Sequence, residues 1–195
     1  MGVFADGQAG LPRLLQAVLW RTLATVPQFS VCVANGSIMG EGLGFLACCD
    51  YAVAVAGSFL SPADIHYGLV PAVLAPYILN KMGTGATKRL FCTCENISAE
   101  RAVADGLVDD VAPSLEAAHG LVRGLCERLT GCGPRSVDAA KELVAGVSGQ
   151  QITEPLMFYT CAFAQRALAS EEAQQAVRAA GGSKPWEGKA IQPLH

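Results

Sequence analysis

Apolar side chains recur in the first part of the chain with two different periods, one typical of helices and one typical of strands. Over residues 11–25 they return every three or four positions, which predicts an amphipathic helix. Residues 29–34 and 51–56 are short runs rich in valine, which predict strands. The apolar segment that ends at Asp50 lies between them and predicts a buried helix. Because a helix intervenes, the two strands are expected to run parallel in a layered α/β domain.

The later part of the pattern is mainly helical. After residue 62 we predict, in order, a loop at 64–71, a helix at 73–82, a break at 83–85, a helix at 86–92, a helix capped by Ser98 and ended by Gly106, and a strand at 107–111. Pro76 is expected either to kink its helix or to lie in the opening turn. The periodic segments that follow are all helical, namely 115–129, 136–147, 153–168 and 171–180. This organisation predicts an α/β core over 1–112, a helical region over 113–180 and an extended tail over 181–195.

The composition narrows the class of protein. A chain of 195 residues is long enough for one domain to bury a full hydrophobic core. Hydrophobic residues make up 51% of the chain and charged residues 16%, which indicates additional surface buried against partner subunits. The net charge of -3 and the lack of a basic cluster interleaved with aromatic residues argue against nucleic acid as a partner. The longest apolar stretch, residues 43–60, is interrupted by Asp50, so no membrane span is predicted.

Eight cysteines are present, and most of them lie inside apolar runs, where a thiol behaves as a small hydrophobic group. Cys48 and Cys49 are adjacent, and Cys92 and Cys94 are separated by one residue, so neither pair has the C-x-x-C spacing of a zinc or redox motif. No metal site is therefore predicted. Unpaired cysteines favour a reducing intracellular compartment, either the cytoplasm or the mitochondrial matrix.

Three ordered stretches carry a more specific signal. They are VANG at 33–36 continuing through GEG at 40–42 to ACCD at 47–50, then DIHYGLVP at 64–71, and finally ISAERAVADGLVD at 97–109. In order and spacing these stretches resemble the crotonase superfamily, which is also called the enoyl-CoA hydratase/isomerase superfamily. The resemblance is good up to residue 111 and weaker across the helical region.

The resemblance implies a crotonase-like α/β fold of repeated ββα turns, incomplete at its N-terminus here, and then a C-terminal helical region that mediates trimer contacts. It implies an acyl-CoA thioester ligand, whose enolate is held by two backbone N–H groups that lower the cost of negative charge on the thioester oxygen. No cofactor is implied, since the coenzyme A thioester is itself the substrate. The expected partners are crotonase-like chains in a trimer or hexamer, or a larger protein assembly.

By this resemblance one oxyanion donor is the peptide N–H of Glu41, and Gly40 and Gly42 are the neighbouring ligand-binding positions. Family members usually carry glycine where this chain has Glu41. A carboxylate beside an enolate would repel it, and any positive φ there would be strained for a residue other than glycine. Three interpretations of the Glu41 side chain stay open: it turns away to solvent at a helix N-terminus, it abolishes activity, or it serves as a general base.

The family's two acid/base carboxylates activate water and protonate the α-carbon, and their positions fall on Gly44 and Asp64. The loss of a carboxylate at Gly44 argues against ordinary two-glutamate hydration. Asp64 is one methylene shorter than the usual glutamate, and a misplaced group can cost about 10²-fold in rate. Asp64 is therefore either the acid/base group or a turn residue bonded to its own backbone. His66 would share a face with Asp64 if the segment were extended, and a loop histidine packed on Tyr67 is the alternative.

The run GLVPAVLAPY at 68–77 resembles methylglutaconyl-CoA-hydratase-like members and polyketide-branching dehydratases, which implies a branched acyl chain. The family's first ββα turns, most of its adenine pocket and its other oxyanion donor have no counterpart, so we expect either a truncated product or a diverged protein. Two functions are open. One is an acyl-CoA-binding protein related to enoyl-CoA hydratases and isomerases, with weak or lost activity. The other is a catalytically silent subunit, a pseudoenzyme, in a hetero-oligomeric assembly such as a mitochondrial one.

Overall fold

The structure, a computed structural model, describes residues 10–179 together with residues 182, 184 and 186. Almost all of the predicted tail at 181–195 therefore lies outside the described residues. The elements are α1 (Gly10–Thr25), β1 (Val31–Ala34), β2 (Ile38–Met39), α2 (Leu43–Cys48), β3 (Tyr51–Val55), β4 (Phe59–Ser61), α3 (Ala75–Thr93), β5 (Ile97–Ser98), α4 (Ala99–Ala104), β6 (Asp110–Ala112), α5 (Leu115–Thr130), α6 (Pro134–Val147), α7 (Glu154–Leu168) and α8 (Glu171–Arg178).

The chain divides into two compact units. One comprises the residues up to Val26 together with Ser30–Val122, and the other comprises Pro27–Phe29 together with the residues from Arg123 onward. All strands of the described residues belong to the first unit. Every described element after β6 is helical, which confirms the all-helical prediction for that part of the chain. Within the described residues, no helix combines the length and the apolar character that crossing a bilayer requires.

Two small sheets form the frame of the first unit. The first sheet has the order β1-β3-β6, and all its strands are parallel. The second has the order β2-β4-β5, in which β2 runs parallel to β4 and β4 runs antiparallel to β5. The predicted parallel pairing of residues 29–34 with 51–56 is confirmed by β1 and β3, where Val31 lies opposite Tyr51. The central residues of β3 are fully buried, as expected for a strand covered on both faces.

Several predicted boundaries are wrong, each for a local reason. The second sheet was not predicted, because its strands are two or three residues long and too short to show a period of two. The strand expected at 107–111 is found at β6, since Leu107 and Val108 are buried in the turn after α4. The break predicted at 83–85 is confirmed by Gly83, whose non-helical φ of 70° separates the two helical parts of α3 (Ala75–Thr93), although the first part begins two residues later than expected.

Other local predictions are confirmed. Pro76 lies in the first turn of α3, where the missing N–H has no intrahelical partner to lose. Ser98 caps α4, its hydroxyl accepting a hydrogen bond from the backbone N–H of Arg101 at 3.2 Å. Gly106 ends that helix with φ of 82°, and a Cβ at this position would lie 2.9 Å from the carbonyl oxygen of Lys81. Glycine is therefore required both by the backbone conformation and by the close approach of α3.

The core of the first unit forms where α1, α2 and α3 pack on the sheets. Its largest fully buried side chains are Leu43, Leu46, Leu60, Leu74, Ile78, Leu90 and Leu107. Trp20 of α1 is almost completely buried and lies edge-on against Phe45, with the ring centroids 5.0 Å apart. This aromatic pair attaches α1 to α2.

The cysteines are all unpaired and occupy different environments. The expectation that most of them fill apolar space holds for Cys48, Cys49 and Cys94, which are buried, whereas Cys92, Cys132 and Cys161 are exposed. The pKa of the Cys32 thiol is raised first by a hydrogen bond with Cys49 and further by burial. The same hydrogen bond lowers the pKa of Cys49 to about 7 against the opposing effect of burial.

The helices of the second unit are joined by polar contacts at their ends. The carboxylate of Glu172 in α8 accepts hydrogen bonds from the backbone N–H groups of Arg135 and Ser136, at 3.0 and 2.9 Å. Although burial opposes it, this hydrogen bonding lowers the pKa of Glu172. A carboxylate here satisfies donors that the first turn of α6 leaves free and complements the helix dipole.

A charge cluster joins α3 to α4 in the first unit. The carboxylate of Asp105 is paired with both Arg101, at 2.9 Å, and Arg89, while Arg89 also pairs with Glu95 at 2.8 Å. The Asp105 side chain is only 9% exposed. Its two arginine partners, Arg101 foremost, hold the pKa of Asp105 below its ordinary value although burial opposes them. The ionised form of Asp105 therefore stabilises the fold.

We predict that Asp105→Asn lowers the free energy of unfolding by about 1–2 kcal/mol at pH 7, because two arginines lose their anionic partner. A depressed carboxyl pKa gives stability that is complete above the unfolded-state value of about 4 and is lost as the pH falls through the folded-state value. The difference from wild type should therefore shrink below about pH 4. Urea denaturation across this pH range measures the effect, with the exposed Glu127→Gln as control. A difference that persists unchanged in acid would contradict the role of the ionised carboxylate.

Candidate active site

The candidate site lies at the ends of two neighbouring parallel strands. β2 and β4 are paired through Ile38 with Leu60 and Met39 with Ser61. A turn of 3₁₀ helix follows each strand, Gly40–Gly42 immediately after β2 and Asp64–Tyr67 two residues after β4. Because the carboxyl ends of parallel strands meet at one edge of a sheet, these two turns are brought side by side. A Cβ placed on Gly40 would lie 3.7 Å from the carbonyl oxygen of Pro62, which shows how near the two connections are.

The first turn places no backbone strain on Glu41. Its positive φ falls on Gly40, at 57°, and Glu41 is not among the described residues with a positive φ. Gly42 is also constrained, since a Cβ there would lie 2.8 Å from Cγ2 of Ile38. The turn continues directly into α2, so the N–H of Glu41 belongs to the first turn of a helical run, where N–H groups have no intrahelical acceptor. The role of this N–H as an oxyanion donor stays a prediction from the resemblance.

The Glu41 side chain is partly exposed and is directed towards α1. Its Oε1 forms an ion pair with Nη1 of Arg13 in α1 at 2.7 Å, and the side chain is 35% exposed. Its Oε2 is buried and has no hydrogen-bond partner among the described residues. Arg13 thus draws one oxygen of Glu41 to α1 while the other oxygen is buried, so the side chain is neither fully exposed nor fully buried.

Asp64 lies in the second turn and is partly buried. Burial raises the pKa of its carboxyl, the nearby charge of Glu41 raises it further, and the Asp64 backbone N–H and the Arg13 guanidinium oppose the shift. Its Oδ2 is buried and, like Oε2 of Glu41, has no hydrogen-bond partner among the described residues. Each of these two carboxyl groups therefore has a buried oxygen without a hydrogen-bond partner among the described residues, and the charge of Glu41 is near enough to act on Asp64. Buried oxygens of this kind are uncommon in proteins, so the pair is a candidate functional site.

The backbone before Asp64 is held in a conformation that few residues adopt. Ala63 has φ of 52° and ψ of -24°, in the left-handed region that an L-residue other than glycine enters at a cost. The N–H of Asp64 donates to the carbonyl of Pro62 at 2.6 Å, and the N–H of Leu69 donates to the carbonyl of Asp64 at 3.1 Å. Such strain persists only where surrounding contacts fix the chain, and it concentrates at functional sites.

Gly44, the position of the family's first glutamate, has no room for a side chain. A Cβ at this residue would lie 2.6 Å from Cζ2 of Trp20 and 2.8 Å from Cδ2 of Leu74. The Trp20 ring thus fills the space into which any side chain at position 44 would extend. The indole N–H of Trp20 is buried without a hydrogen-bond partner among the described residues. Packing, and not only the absence of a carboxylate, excludes an acid/base group from this position.

The proposed pairing of His66 with Asp64 is not supported. It required an extended segment, whereas residues Asp64–Tyr67 form a 3₁₀ turn, in which positions i and i+2 point in different directions. His66 and Tyr67 are exposed while Asp64 is partly buried. His66 therefore belongs to the surface of the turn.

Sequence reasoning missed two residues of the site, Arg13 and Trp20. Both lie on α1, which was recognised as an amphipathic helix but could not be placed over the loop without tertiary structure. A polar residue near the start of that helix and a single tryptophan within it were the only signals.

Among the described residues, no group of three or more histidine, cysteine or acidic side chains is arranged to hold a metal ion.

Comparison with known proteins agrees with this fold. The family model described as enoyl-CoA hydratase/isomerase matches residues 5–180 of the chain. The enoyl-CoA hydratase ACTT6 of Alternaria alternata is 26% identical over 125 residues, covering 64% of this chain and 42% of that protein. The bacillaene synthase dehydratase PksH of Bacillus subtilis is 29% identical over 91 residues, covering 47% of this chain and 35% of its own length.

A solved structure gives the same picture. The crystal structure of an enoyl-CoA hydratase from Shewanella pealeana superposes with a TM-score of 0.87 at 25% identity, covering 93% of this chain and 69% of that one. The fold is the mixed α/β crotonase-like fold with a C-terminal helical region. The chain belongs to the enoyl-CoA hydratase/isomerase family. It spans about half the length of the curated relatives it matches.

The packing of Trp20 against Gly44 can be tested by adding one methyl group. We predict that Gly44→Ala lowers the free energy of unfolding by about 1–3 kcal/mol, because a buried ring and a leucine must move to admit the Cβ. Gly36→Ala is the matched control, since Gly36 is exposed and nothing lies within 4 Å of its Cβ position. Chemical denaturation of both variants measures the difference. Equal stability of the two would show that position 44 is not filled by Trp20.

Proposed function

We propose that the chain binds an acyl-CoA thioester and has a weak enoyl-CoA hydratase or isomerase activity at the Glu41–Asp64 site. In this proposal the peptide N–H of Glu41 donates to the thioester oxygen, and the Asp64 carboxyl exchanges a proton with the acyl chain. The single observation that carries it is the side-by-side position of the two turns at the ends of β2 and β4. Preorganised donors beside a proton-transfer group are what the formation of an enolate requires.

The weak activity follows from Gly44. Hydration in a single site needs one group to take a proton from water and another to deliver a proton to carbon, and position 44 supplies neither. Asp64 is also one methylene shorter than glutamate, which withdraws its oxygens from the reacting atoms. Its raised pKa nevertheless favours a protonated carboxyl that can act as an acid nearer to neutral pH.

For the substrate we propose a branched enoyl thioester. The run at 68–77 is similar to methylglutaconyl-CoA-hydratase-like members and to dehydratases that act in polyketide branching, and one of the relatives is a dehydratase of bacillaene synthase. A branched acyl group needs an apolar wall of modest size close to Asp64. The Val70 and Val73 side chains follow the Asp64 turn directly along the chain and are of that type.

Binding and turnover of two enoyl thioesters test this function. We expect both crotonyl-CoA and 3-methylglutaconyl-CoA to bind in calorimetry and to lose enoyl absorbance slowly, with the branched substrate faster. Asp64→Asn should lower turnover by roughly 100-fold or more, because the proton donor is lost. Asp138→Asn, on an exposed residue of α6, is the control. The absence of both binding and turnover would reject the proposal.

The oxyanion role of the first turn is tested by a pair of glycines that share a positive φ. Gly40 (φ 57°) begins the site turn, and Gly57 (φ 80°) lies in the exposed turn between β3 and β4. Alanine at either position should destabilise the fold by about 1–2 kcal/mol. Only Gly40→Ala should also weaken crotonyl-CoA binding, by roughly tenfold, since it shifts the N–H of Glu41 from its hydrogen bond. Equal affinities of the two variants would count against Glu41 as donor.

A second candidate function is a catalytically silent subunit of a larger assembly. The blocked position at Gly44 supports it, and so do four exposed apolar side chains of α1, namely Leu14, Leu15, Val18 and Leu19. β1 and β2 also end their sheets with one edge unpaired by described residues, next to a cleft of about 460 Å³ lined by residues 32–38, Gly42 and Phe45. Such an edge favours pairing with another chain.

The two functions differ in oligomeric state and catalysis. Crotonase-family members generally form trimers or hexamers and bind acyl-CoA. We propose a trimer or hexamer of crotonase-like chains for the acyl-CoA-binding function, and a hetero-oligomer, for example a mitochondrial one, for the silent subunit. Co-purification with other chains in the absence of turnover would favour the silent subunit. The eight unpaired cysteines support a reducing compartment, the cytoplasm or the mitochondrial matrix, for either function.

A further inference from the structure

The carboxyl groups of the site differ from those that the resemblance implies. Position 44 lacks the expected carboxylate, and position 41 has a carboxylate where glycine is expected. Gly44 and Trp20 together exclude an acid/base group from position 44. Glu41 meanwhile places a carboxylate in the turn where glycine is usual for the family. Its Oε1 is held by Arg13 at 2.7 Å, which leaves Oε2 buried and without a hydrogen-bond partner among the described residues.

The charge of the Glu41 carboxylate acts on the Asp64 carboxyl. The charge of Glu41 is close enough to affect the ionisation of Asp64, and Asp64 Oδ2 is the other buried oxygen without a partner. The charged groups that act on Asp64 are Glu41, from the turn after β2, and Arg13, from α1. The two carboxyl groups therefore lie near each other, and Arg13 supplies positive charge to both, through an ion pair to Glu41 and at longer range to Asp64.

We propose that Glu41 is the second acid/base group of the site, with its carboxylate taking a proton from water while the protonated Asp64 carboxyl delivers a proton to the substrate α-carbon. This inference rests on the proposed acyl-CoA function and assigns a new role to one of its residues. The Glu41 residue would then contribute its peptide N–H to the thioester oxygen and its side chain to the attacking water.

The proton transfers balance in hydration. The water oxygen bonds to the β-carbon, and the π electrons of the enoyl double bond move to the thioester as an enolate. One water proton goes to Glu41, and the proton of Asp64 goes to the α-carbon as the enolate collapses. The product is the 3-hydroxyacyl thioester, and transfer of a proton from Glu41 to Asp64 restores the starting state. No oxidant, reductant or further reactant is needed.

The surroundings of the two carboxyls assign these roles. Glu41 is ion-paired with Arg13, so its carboxylate is the one whose charge is compensated and it suits the base. Burial and the Glu41 charge both favour the protonated form of Asp64, which suits the acid. Two carboxyls in unlike surroundings commonly divide acid and base roles.

The experiment compares Glu41→Gln with a matched variant, Glu142→Gln. Glu142 also pairs with an arginine, Arg166, at 2.7 Å, but in the second unit and on an exposed surface. Glutamine at position 41 keeps the size of the side chain and an oxygen for Arg13. In a ¹³C NMR titration of labelled aspartate carboxyls, Asp64 should titrate at lower pH in Glu41→Gln and at higher pH in Arg13→Met. It should be unchanged in Glu142→Gln.

Steady-state hydration of crotonyl-CoA supplies the second measurement. Glu41→Gln should lower kcat by roughly 100-fold or more with a much smaller change in KM, since general acid-base groups contribute on that scale. Glu142→Gln should keep wild-type kinetics. A Glu41→Gln variant that turns over as fast as wild type, or that leaves the Asp64 titration unmoved, overturns the acid/base pair while the acyl-CoA function stands.

The two failures are distinguishable. Wild-type protein that binds crotonyl-CoA without hydrating it overturns the catalytic role of Glu41 but retains ligand binding. Wild-type protein that binds no acyl-CoA overturns the proposed function. The catalytic role then falls as well, and the Asp64 titration reports separately whether the two carboxyls are coupled.

Discussion

The register between β2 and β4 is the constraint on which the candidate site depends. Two residue pairs align these short parallel strands and bring the turns that follow them to the same edge of the sheet. Glu41 and Asp64 are distant in the sequence, yet this pairing places their carboxyls within electrostatic reach. A slip of one residue would turn the side chains of β2 to the opposite face and separate the two turns. The chemistry of the site is therefore a consequence of strand pairing.

A second constraint comes from α1, which contributes one residue to packing and another to charge. Trp20 fills the space beside Gly44 and so closes the position where the family carries a glutamate. Arg13, seven residues earlier on the same helix, pairs with Glu41. The helix that removes one acid/base position thus also holds the carboxylate that we propose as its replacement. Both effects arise because α1 packs directly on α2 and on the turn that precedes it.

The carboxyl groups of Glu41 and Asp64 have different electrostatic surroundings. Arg13 forms a direct ion pair with Glu41, whereas Asp64 experiences burial and a neighbouring negative charge. In a partly buried site these influences are screened less than at the surface, and burial and the Glu41 charge raise the pKa of Asp64. The strained backbone at Ala63 and the buried oxygens of both carboxyls are consistent with a site organised for a ligand.

The sequence alone determined those features that depend on neighbouring residues. The period of apolar residues predicted α1 and the helical second half, the serine cap predicted the start of α4, and three ordered motifs identified the family. The candidate residues Glu41, Gly44 and Asp64 were also found in this way. Each of these residues was found because it occupies a fixed place in a motif of neighbouring residues, which can be recognised without knowing the fold.

Only the tertiary structure decided what those residues contact. It gave the second sheet, whose strands are too short to show a period, and it gave the direction of the Glu41 side chain, the exposure of His66 and the place of Trp20. Each of these depends on groups far apart in the chain. Ion pairing, burial and steric exclusion act through space, so no periodicity or motif in the sequence records them.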